Sequence, residues 1–284
     1  MNSGAVTYLN KMIGFGEIAT ANSSACATGT EAVILGYERI KSGKAKRMLC
    51  GSTESQGVYI WSGFEALRII CSDSNDHPEK ASRPMAADPA GFVPGTGSGA
   101  LVLESLDSAL ERGAKIYGEI VAGQTVNGGQ RNGGSITANN PDATQRSFKK
   151  ALLEAGITGK DIDLICGHLT STIGDVREVD AWTKALERSG DDFPRLNAIK
   201  AMLGHCLGAS GSIEMVAASL QLYHQYSHPN INIHNLHPQI ADLISRDAVD
   251  YSTLEMSINY LIKASLGFGD VNSCIILKKW DTNE

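Results

Sequence analysis

A single thiol and two imidazoles stand in stretches rich in glycine, alanine, serine and threonine. Cys26 lies in Ser24-Ala25-Cys26-Ala27-Thr28-Gly29, His168 in His168-Leu169-Thr170-Ser171-Thr172, and His205 in Gly204-His205-Cys206-Leu207-Gly208-Ala209. A cysteine can accept an acyl group as a thioester. Two imidazoles can donate hydrogen bonds to an oxygen on which negative charge develops. Together they are the parts needed for carbon–carbon bond formation through a thioester. The spacing puts Cys26 at the start of a helix, where unpaired N–H groups and the helix dipole lower a thiol pKa. Taken singly, each of the three is equally at home as a buried structural residue.

The elements that position these residues alternate along the chain. Residues 17–22 read as a strand and 25–41 as a helix apolar almost all round, hence buried. Arg47–Cys50 and Ala100–Glu104 read as strands, and Ile116–Val126 is β-rich. Residues 142–156 form a predicted helix closed by Gly156. Asp163–Cys166 is a buried strand running straight into His168, followed by a helix over 175–189 opened by Asp175. Arg195–Ile199, a helix over 206–224, and strands at Ile258–Ala264 and Cys274–Lys278 complete the pattern. Such alternation predicts an α/β fold with a mostly parallel sheet, which places sites at junctions like those of His168 and His205. There is also an internal echo: strand then small-residue helix at Ala25–Gly29, and again at Gly204–Gly211. Small residues in both helices would let them pack closely at the centre.

Composition narrows the class. The chain has 284 residues, 42% hydrophobic and 20% charged, enough for a sizeable core. A net charge of −6 argues against non-specific nucleic-acid binding. No run of about 18 apolar residues predicts a membrane span, and the N-terminus lacks signal-peptide features. A cytoplasmic protein is expected. Its six scattered cysteines carry no C-x-x-C pair and read as free thiols, five of them inert core fillers.

With these motifs in hand, the chain resembles the β-ketoacyl-acyl-carrier-protein synthases, condensing enzymes of thiolase-like fold, from about Tyr8 to Trp280. The resemblance is carried by Ser24–Gly29, by Ala81-Ser82-Arg83-Pro84 with Gly91-Phe92-Val93, and by Gly95–Glu104. His168-x-Thr170-Ser171-Thr172 ending at Gly174-Asp175, Lys200 before Gly204-His205, Glu214 nine residues after His205, and Gly267-Phe268-Gly269 add to it. It implies a layered αβαβα architecture of two pseudo-repeated halves. Residues 1–114 would be what remains of the first, carrying the nucleophile, and 115–284 the second, carrying both histidines.

The resemblance further implies decarboxylative Claisen condensation of acyl-Cys26 with malonyl-carrier in fatty acid or polyketide-like biosynthesis. His168 and His205 would stabilise the enolate, Lys200 would order that pair electrostatically, and the backbone N–H groups of Cys26 and Phe268 would form the oxyanion hole. Glu214, Asp175 and Thr170 would support the site, and Phe268 would gate the acyl pocket. No metal or resident cofactor is implied, because the substrates ride on the phosphopantetheine of an acyl carrier protein. That carrier is the expected partner, together with a second synthase subunit in a homodimer or heterodimer. Thiolases use a second cysteine in the C-terminal glycine turn; Gly267-Phe268-Gly269-Asp270 here favours the decarboxylating branch.

Several departures stand out. Only 25 residues precede Cys26, so the first strands and helices of the first half are expected to be absent and an unpaired sheet edge exposed. Little condensing activity is expected from this chain alone, and a non-catalytic or truncated partner subunit is the alternative reading. Leu169 replaces a glycine after the first histidine, which predicts a re-aimed His168. The loop to Asp175 is one residue short, and Asp270 replaces a glycine. Residues 85–90 lack the charged residues usual in the family.

Two other clusters read as ordinary surface. His224, His228, His234 and His237 straddle a helix end and a loop, without the carboxylate that would complete a metal set. Lys41, Lys44, Lys46 and Arg47 form a basic run, either a solvated helix end or a docking patch for an acidic carrier. Gly95-Thr96-Gly97-Ser98-Gly99 leads into a strand and is no dinucleotide fingerprint.

Overall fold

The structure is a computed structural model that describes residues 4–281. In chain order the elements begin with helix α1 (Gly4–Ile13), helix α2 (Thr28–Lys41), strand β1 (Arg47–Glu54), helix α3 (Val58–Ala66), strand β2 (Gly97–Glu104) and helix α4 (Leu106–Glu111). They continue with β3 (Glu119–Asn127), α5 (Pro141–Ala155), β4 (Leu164–Cys166), α6 (Gly174–Leu186), β5 (Arg195–Asn197), α7 (Lys200–Leu203) and α8 (Ser210–His224). The chain closes through β6 (Tyr226–Ser227), α9 (Pro238–Ala241), β7 (Leu254–Glu255), β8 (Tyr260–Gly267) and β9 (Val271–Lys278).

The second half is built on a five-stranded mixed sheet in the order β3-β9-β8-β4-β5. Strands β4, β5 and β8 run parallel, whereas β9 is antiparallel to both β8 and β3. Almost every residue of β8 and β9 is buried, as expected of strands covered on both faces. Helices α5 and α6 cover one face, with Phe148 and Trp182 in edge-to-face contact at 6.0 Å in the larger core cluster. Helix α5 matches its sequence signals: Asn140 caps it by accepting from Asp142 N at 2.9 Å, Pro141 fills the first turn, and Gly156 closes it at φ +68°.

Helices α2 and α8 form the central layer, and the echo between them has a steric basis. A Cβ on Gly211 would lie 2.4 Å from Thr30 N, and one on Gly29 would lie 2.4 Å from Ser212 N. The two backbones touch where both residues are glycine. Each central helix is followed by an antiparallel pair, β1–β2 after α2 and β8–β9 after α8. The first pair stands as a two-stranded sheet among the described residues.

This difference corrects two expectations. Residues 17–22 form no strand and are mostly exposed. Helix α2 is buried on one side only, through Gly29, Thr30, Val33, Ile34 and Gly36, while Leu35 is 40% exposed. Among the described residues no further strand extends the β1–β2 sheet, and the outer face of α2 is left uncovered. The open side is a cavity of about 1510 Å³ lined by all of β1, by α1, and by residues 15–23. Four of the five cysteines read as core fillers are buried; Cys71 is half-exposed, with Sγ 3.3 Å from Asp73 Oδ1.

Candidate active site

Cys26 does not begin the helix. It occupies a turn just ahead of α2, with Ala27 at the N-cap and Ala25 forced into the left-handed region at φ +48°. A non-glycine residue held there signals strain that the surroundings impose. The turn closes through Ala27 N to Ser24 O at 3.0 Å and Thr28 N to Ala25 O at 3.1 Å. The sulfur, in a side chain 7% exposed, receives the backbone N–H of Phe268 and packs with Phe92 and Leu207.

That burial overturns the expected low thiol pKa. Desolvation is the largest influence and pushes Cys26 up to about 11, against the lowering effects of the Lys200 ammonium and the Phe268 N–H. At pH 7 a thiol with a pKa near 11 instead of 9 has about 100-fold less thiolate, while the greater nucleophilicity of a more basic sulfur returns roughly tenfold. Alkylation of Cys26 by iodoacetamide is therefore expected to run about tenfold slower at pH 7 than that of an ordinary exposed thiol. Its rate should climb from pH 7 to 10 without a plateau. Peptide mass spectrometry measures it, and a plateau below pH 8 would contradict this reading.

The two imidazoles meet. Their ring centroids are 5.2 Å apart at an interplanar angle of 81°, and Phe92 lies 5.1 Å from His205. Phe92 belongs to the same buried cluster as Cys26, so its ring links the thiol's surroundings to His205. Both histidines are buried, which holds each well below the ordinary imidazole pKa, and the Lys200 ammonium adds to the effect. Ser210 Oγ stands 2.8 Å from His205 Nδ1, leaving Nε2 for a substrate. His168 Nδ1 is buried without a hydrogen-bond partner among the described residues.

The His168 loop is held by two buried carboxylates. Glu178 on α6 accepts from His168 N at 2.7 Å and Leu169 N at 2.9 Å. Asp175 accepts from Thr170 N at 2.8 Å, Ser171 N at 3.1 Å and Met85 N at 2.9 Å. Burial raises the pKa of both, that of Glu178 to about 8, with Asp175 adding repulsion. Thr170 turns its hydroxyl to Thr172 Oγ1 at 3.1 Å. Leu169 needs no unusual backbone: it is fully buried in the core, and the left-handed residue is Ser171 at φ +64°. The strain falls two residues beyond the expected place, and the two imidazoles remain paired.

The segment 81–95 laces both histidine loops together. Gly91 N donates to Ser171 O at 2.9 Å, Ser82 Oγ to Lys200 O at 2.8 Å, and His205 N to Val93 O at 2.7 Å. A Cβ on Gly95 would lie 2.6 Å from Leu203 O, so glycine there permits the approach. Lys200 is buried and donates to His168 O at 2.5 Å and to Glu214. Asp270, left-handed at φ +67°, accepts from Asn140 N at 2.8 Å and Gln130 N at 2.9 Å, tying the Phe268 turn to the 128–140 loop.

The large cavity reaches Cys26, Phe268 and Phe64 but is not lined by either imidazole. Edge-to-face contacts run from Phe268 to Phe64 at 6.0 Å and from Phe64 to Phe92 at 5.1 Å. These aromatic rings stand beside the thiol and the histidine pair, and Phe268 is only half-buried.

The sequence reading did not single out Glu178, Ser210, Phe92 or Lys263. A charged residue inside the apolar run Tyr260–Gly267 was a usable signal for Lys263, because lysine is almost never fully buried unless paired. Of the other histidines, His228 Nδ1 meets Pro229 O at 3.0 Å and His237 Nδ1 accepts from Gln239 N at 3.3 Å.

A thiol in a strained turn ahead of one of two paired central helices, in a chain whose two imidazoles meet, fits the thiolase-like fold class. Family comparison agrees. The chain matches the beta-ketoacyl synthase N-terminal domain over residues 1–109 and the beta-ketoacyl synthase C-terminal domain over residues 117–234. It belongs to the beta-ketoacyl synthase family.

Among curated relatives, it is 37% identical over 262 residues to 3-oxoacyl-[acyl-carrier-protein] synthase 2 of Rhizobium meliloti, covering 90% of this chain and 60% of that one. It is 36% identical to a putative mitochondrial 3-oxoacyl-[acyl-carrier-protein] synthase of Schizosaccharomyces pombe, covering 96% and 64%. The chain therefore spans under two thirds of these relatives. A type II PKS ketosynthase solved with its acyl-carrier protein superposes with a TM-score of 0.90 at 31% identity, covering 98% of this chain and 67% of that one. The ishigamide ketosynthase/chain length factor gives 0.89 at 28%, covering 99% and 66%.

Proposed function

We propose that this chain carries the reacting groups of a decarboxylative condensing enzyme. Cys26 Sγ attacks the carbonyl of an acyl thioester borne on the phosphopantetheine of a carrier protein, forming acyl-Cys26 and releasing the carrier thiol. A malonyl thioester then loses carbon dioxide, and its C–C bonding electrons become an enolate. The imidazoles of His168 and His205 donate hydrogen bonds to the enolate oxygen. With Ser210 donating to Nδ1, His205 carries its hydrogen on Nε2, the form required of a donor. The α-carbon attacks the acyl-Cys26 carbonyl, the N–H groups of Cys26 and Phe268 steady the oxyanion, and collapse expels the Cys26 thiolate. Lys200 orders the histidine pair, with Glu214, Asp175 and Thr170 in support, while Phe268 guards the acyl channel. No resident cofactor enters the scheme.

The observation that carries this reading is one shared neighbourhood: Cys26 is buried in the same apolar cluster as Phe92, whose ring is 5.1 Å from His205, itself 5.2 Å from His168. Incubation with an acyl-carrier thioester should leave an acyl adduct on the Cys26 peptide in mass spectrometry. An acyl-carrier substrate that labels another residue, or none, favours the non-catalytic partner-subunit reading. Dimer formation with a like or related subunit belongs to the same proposal.

Carrier docking is assigned to the basic run, of which two members are already engaged: Lys41 pairs with Glu154 at 2.7 Å and Arg47 with Glu104 at 2.6 Å. Lys44 and Lys46 have no ion pair among the described residues and remain for a partner. The double variant Lys44→Glu/Lys46→Glu is expected to weaken binding of an acidic carrier protein roughly tenfold at low salt, with the difference shrinking as salt rises. Unchanged binding in a titration would remove the patch from the docking site.

A further inference from the structure

Lys263 lies in the middle of β8 with no solvent exposure, and the chemistry above does not use it. Its ammonium forms an ion pair with Glu214 Oε2 at 2.7 Å, while Lys200 takes Oε1 of the same carboxylate. It also donates to Ser265 Oγ at 2.9 Å and to the Ala264 carbonyl. Ser265 Oγ in turn meets Thr30 Oγ1 at 2.7 Å, and Thr30 lies on α2, four residues after Cys26. Thr30 and Ser265 are fully buried. A continuous polar chain therefore runs from the His168 carbonyl through Lys200, Glu214, Lys263 and Ser265 to the nucleophile helix.

We propose that Lys263 is a second positioning lysine of this site: it grips the Glu214 oxygen that Lys200 leaves, and thereby fixes Lys200 and the imidazole pair against α2. The proposal rests on the functional reading above. Its physical logic is charge balance in a dry interior. Two ammonium groups share one Glu214 carboxylate, leaving one positive charge beside the histidines. Burying a second lysine is costly, and the carboxylate–hydroxyl setting around it offsets that cost only while every partner stays in place.

The groups facing the imidazoles are Lys200 from α7, Lys263 from β8, Glu214 from α8, Glu178 and Asp175 from α6, and the Cys26 thiol. Both Lys200 and Lys263 disfavour protonation of His168 and of His205. Lys263→Met takes the local balance of the two lysines and Glu214 from one positive charge to zero. Lys263→Met/Glu214→Gln returns it to one, with Lys200 left as the charged member.

The test uses the whole chain with carbon-13-labelled histidine, the His168 and His205 ring signals being assigned with His168→Asn and His205→Asn. In the unaltered protein neither ring should titrate between pH 5.5 and 8.5, the window in which a free imidazole does, about pH 6.5. Lys263→Met should raise the titration of at least one ring, followed below pH 5.5 as well, and Lys263→Met/Glu214→Gln should lower it again. Decarboxylation of a malonyl thioester should fall at least tenfold in the single variant, with Lys263→Arg recovering part of it.

Should Lys263→Met not fold, Lys263→Gln, whose amide can keep the Ser265 contact, carries the same measurement. A folded Lys263 variant whose histidine rings behave as in the unaltered protein overturns the proposal. Absence of decarboxylation in the unaltered protein overturns the functional reading instead, and the ring titration still decides the role of Lys263.

Discussion

His205→Ala lowers the decarboxylation of a malonyl thioester by roughly 10²–10³-fold, the usual effect of losing one preorganised donor to a developing oxyanion. His168→Ala has an effect of similar size. The two rings stand 5.2 Å apart and, on the proposed chemistry, would share one enolate oxygen, so the double variant should lose much less than the product of the single losses. Acyl transfer to Cys26 should persist in all three variants, because the sulfur and its Phe268 N–H partner are untouched. The separation of the two half-reactions is the informative part. Carbon dioxide release measures one and the Cys26 adduct the other. Decarboxylation unchanged within threefold in both single variants would remove the histidines from the chemistry.

Gly211→Ala has the largest structural effect expected of a single methyl group. The added carbon would sit 2.4 Å from Thr30 N and 2.5 Å from Thr30 Oγ1, against backbone that cannot rotate away. Helices α2 and α8 must part, breaking the Thr30–Ser265 hydrogen bond and shifting the turn that presents Cys26. The cost should reach or exceed the roughly 1–3 kcal/mol typical of an overpacked core. Gly63→Ala is the control. It sits within α3 with open space around its Cβ position, and alanine should leave the fold unharmed or stabilise it by up to about 1 kcal/mol. Thermal melts of the two variants decide the matter; equal midpoints would mean that the central helices tolerate separation.

Part of this molecule can be read directly from residue order. The alternation of apolar runs gives an α/β fold because period-2 and period-3.6 patterns are local consequences of backbone geometry. Gly156 marks the end of α5 for the same local reason. Cys26, His168 and His205 stand out because reactive side chains in small-residue settings are conspicuous in any chain, whereas Lys200 is marked only by the family resemblance. The echo of Gly29 and Gly211 also anticipates the helix crossing, because only glycine leaves room for another backbone.

Other features come from contacts far apart in sequence. The Cys26 pKa turns on burial in the cluster with Phe92 and Leu207, which outweighs the Lys200 ammonium and the Phe268 N–H, and the turn that holds it ahead of α2 is not the helix start the sequence suggests. The outer face of α2 is open and, among the described residues, no further strand extends β1 and β2, which no local pattern in α2 reveals. Lys263 becomes intelligible only when β8 sets it beside Glu214 of α8. Sequence settles which groups could react and most of the alternation of helices and strands, since both depend on near neighbours. Tertiary structure decides their protonation and their alignment, because in a dry interior each charge answers to the partners that packing brings to it.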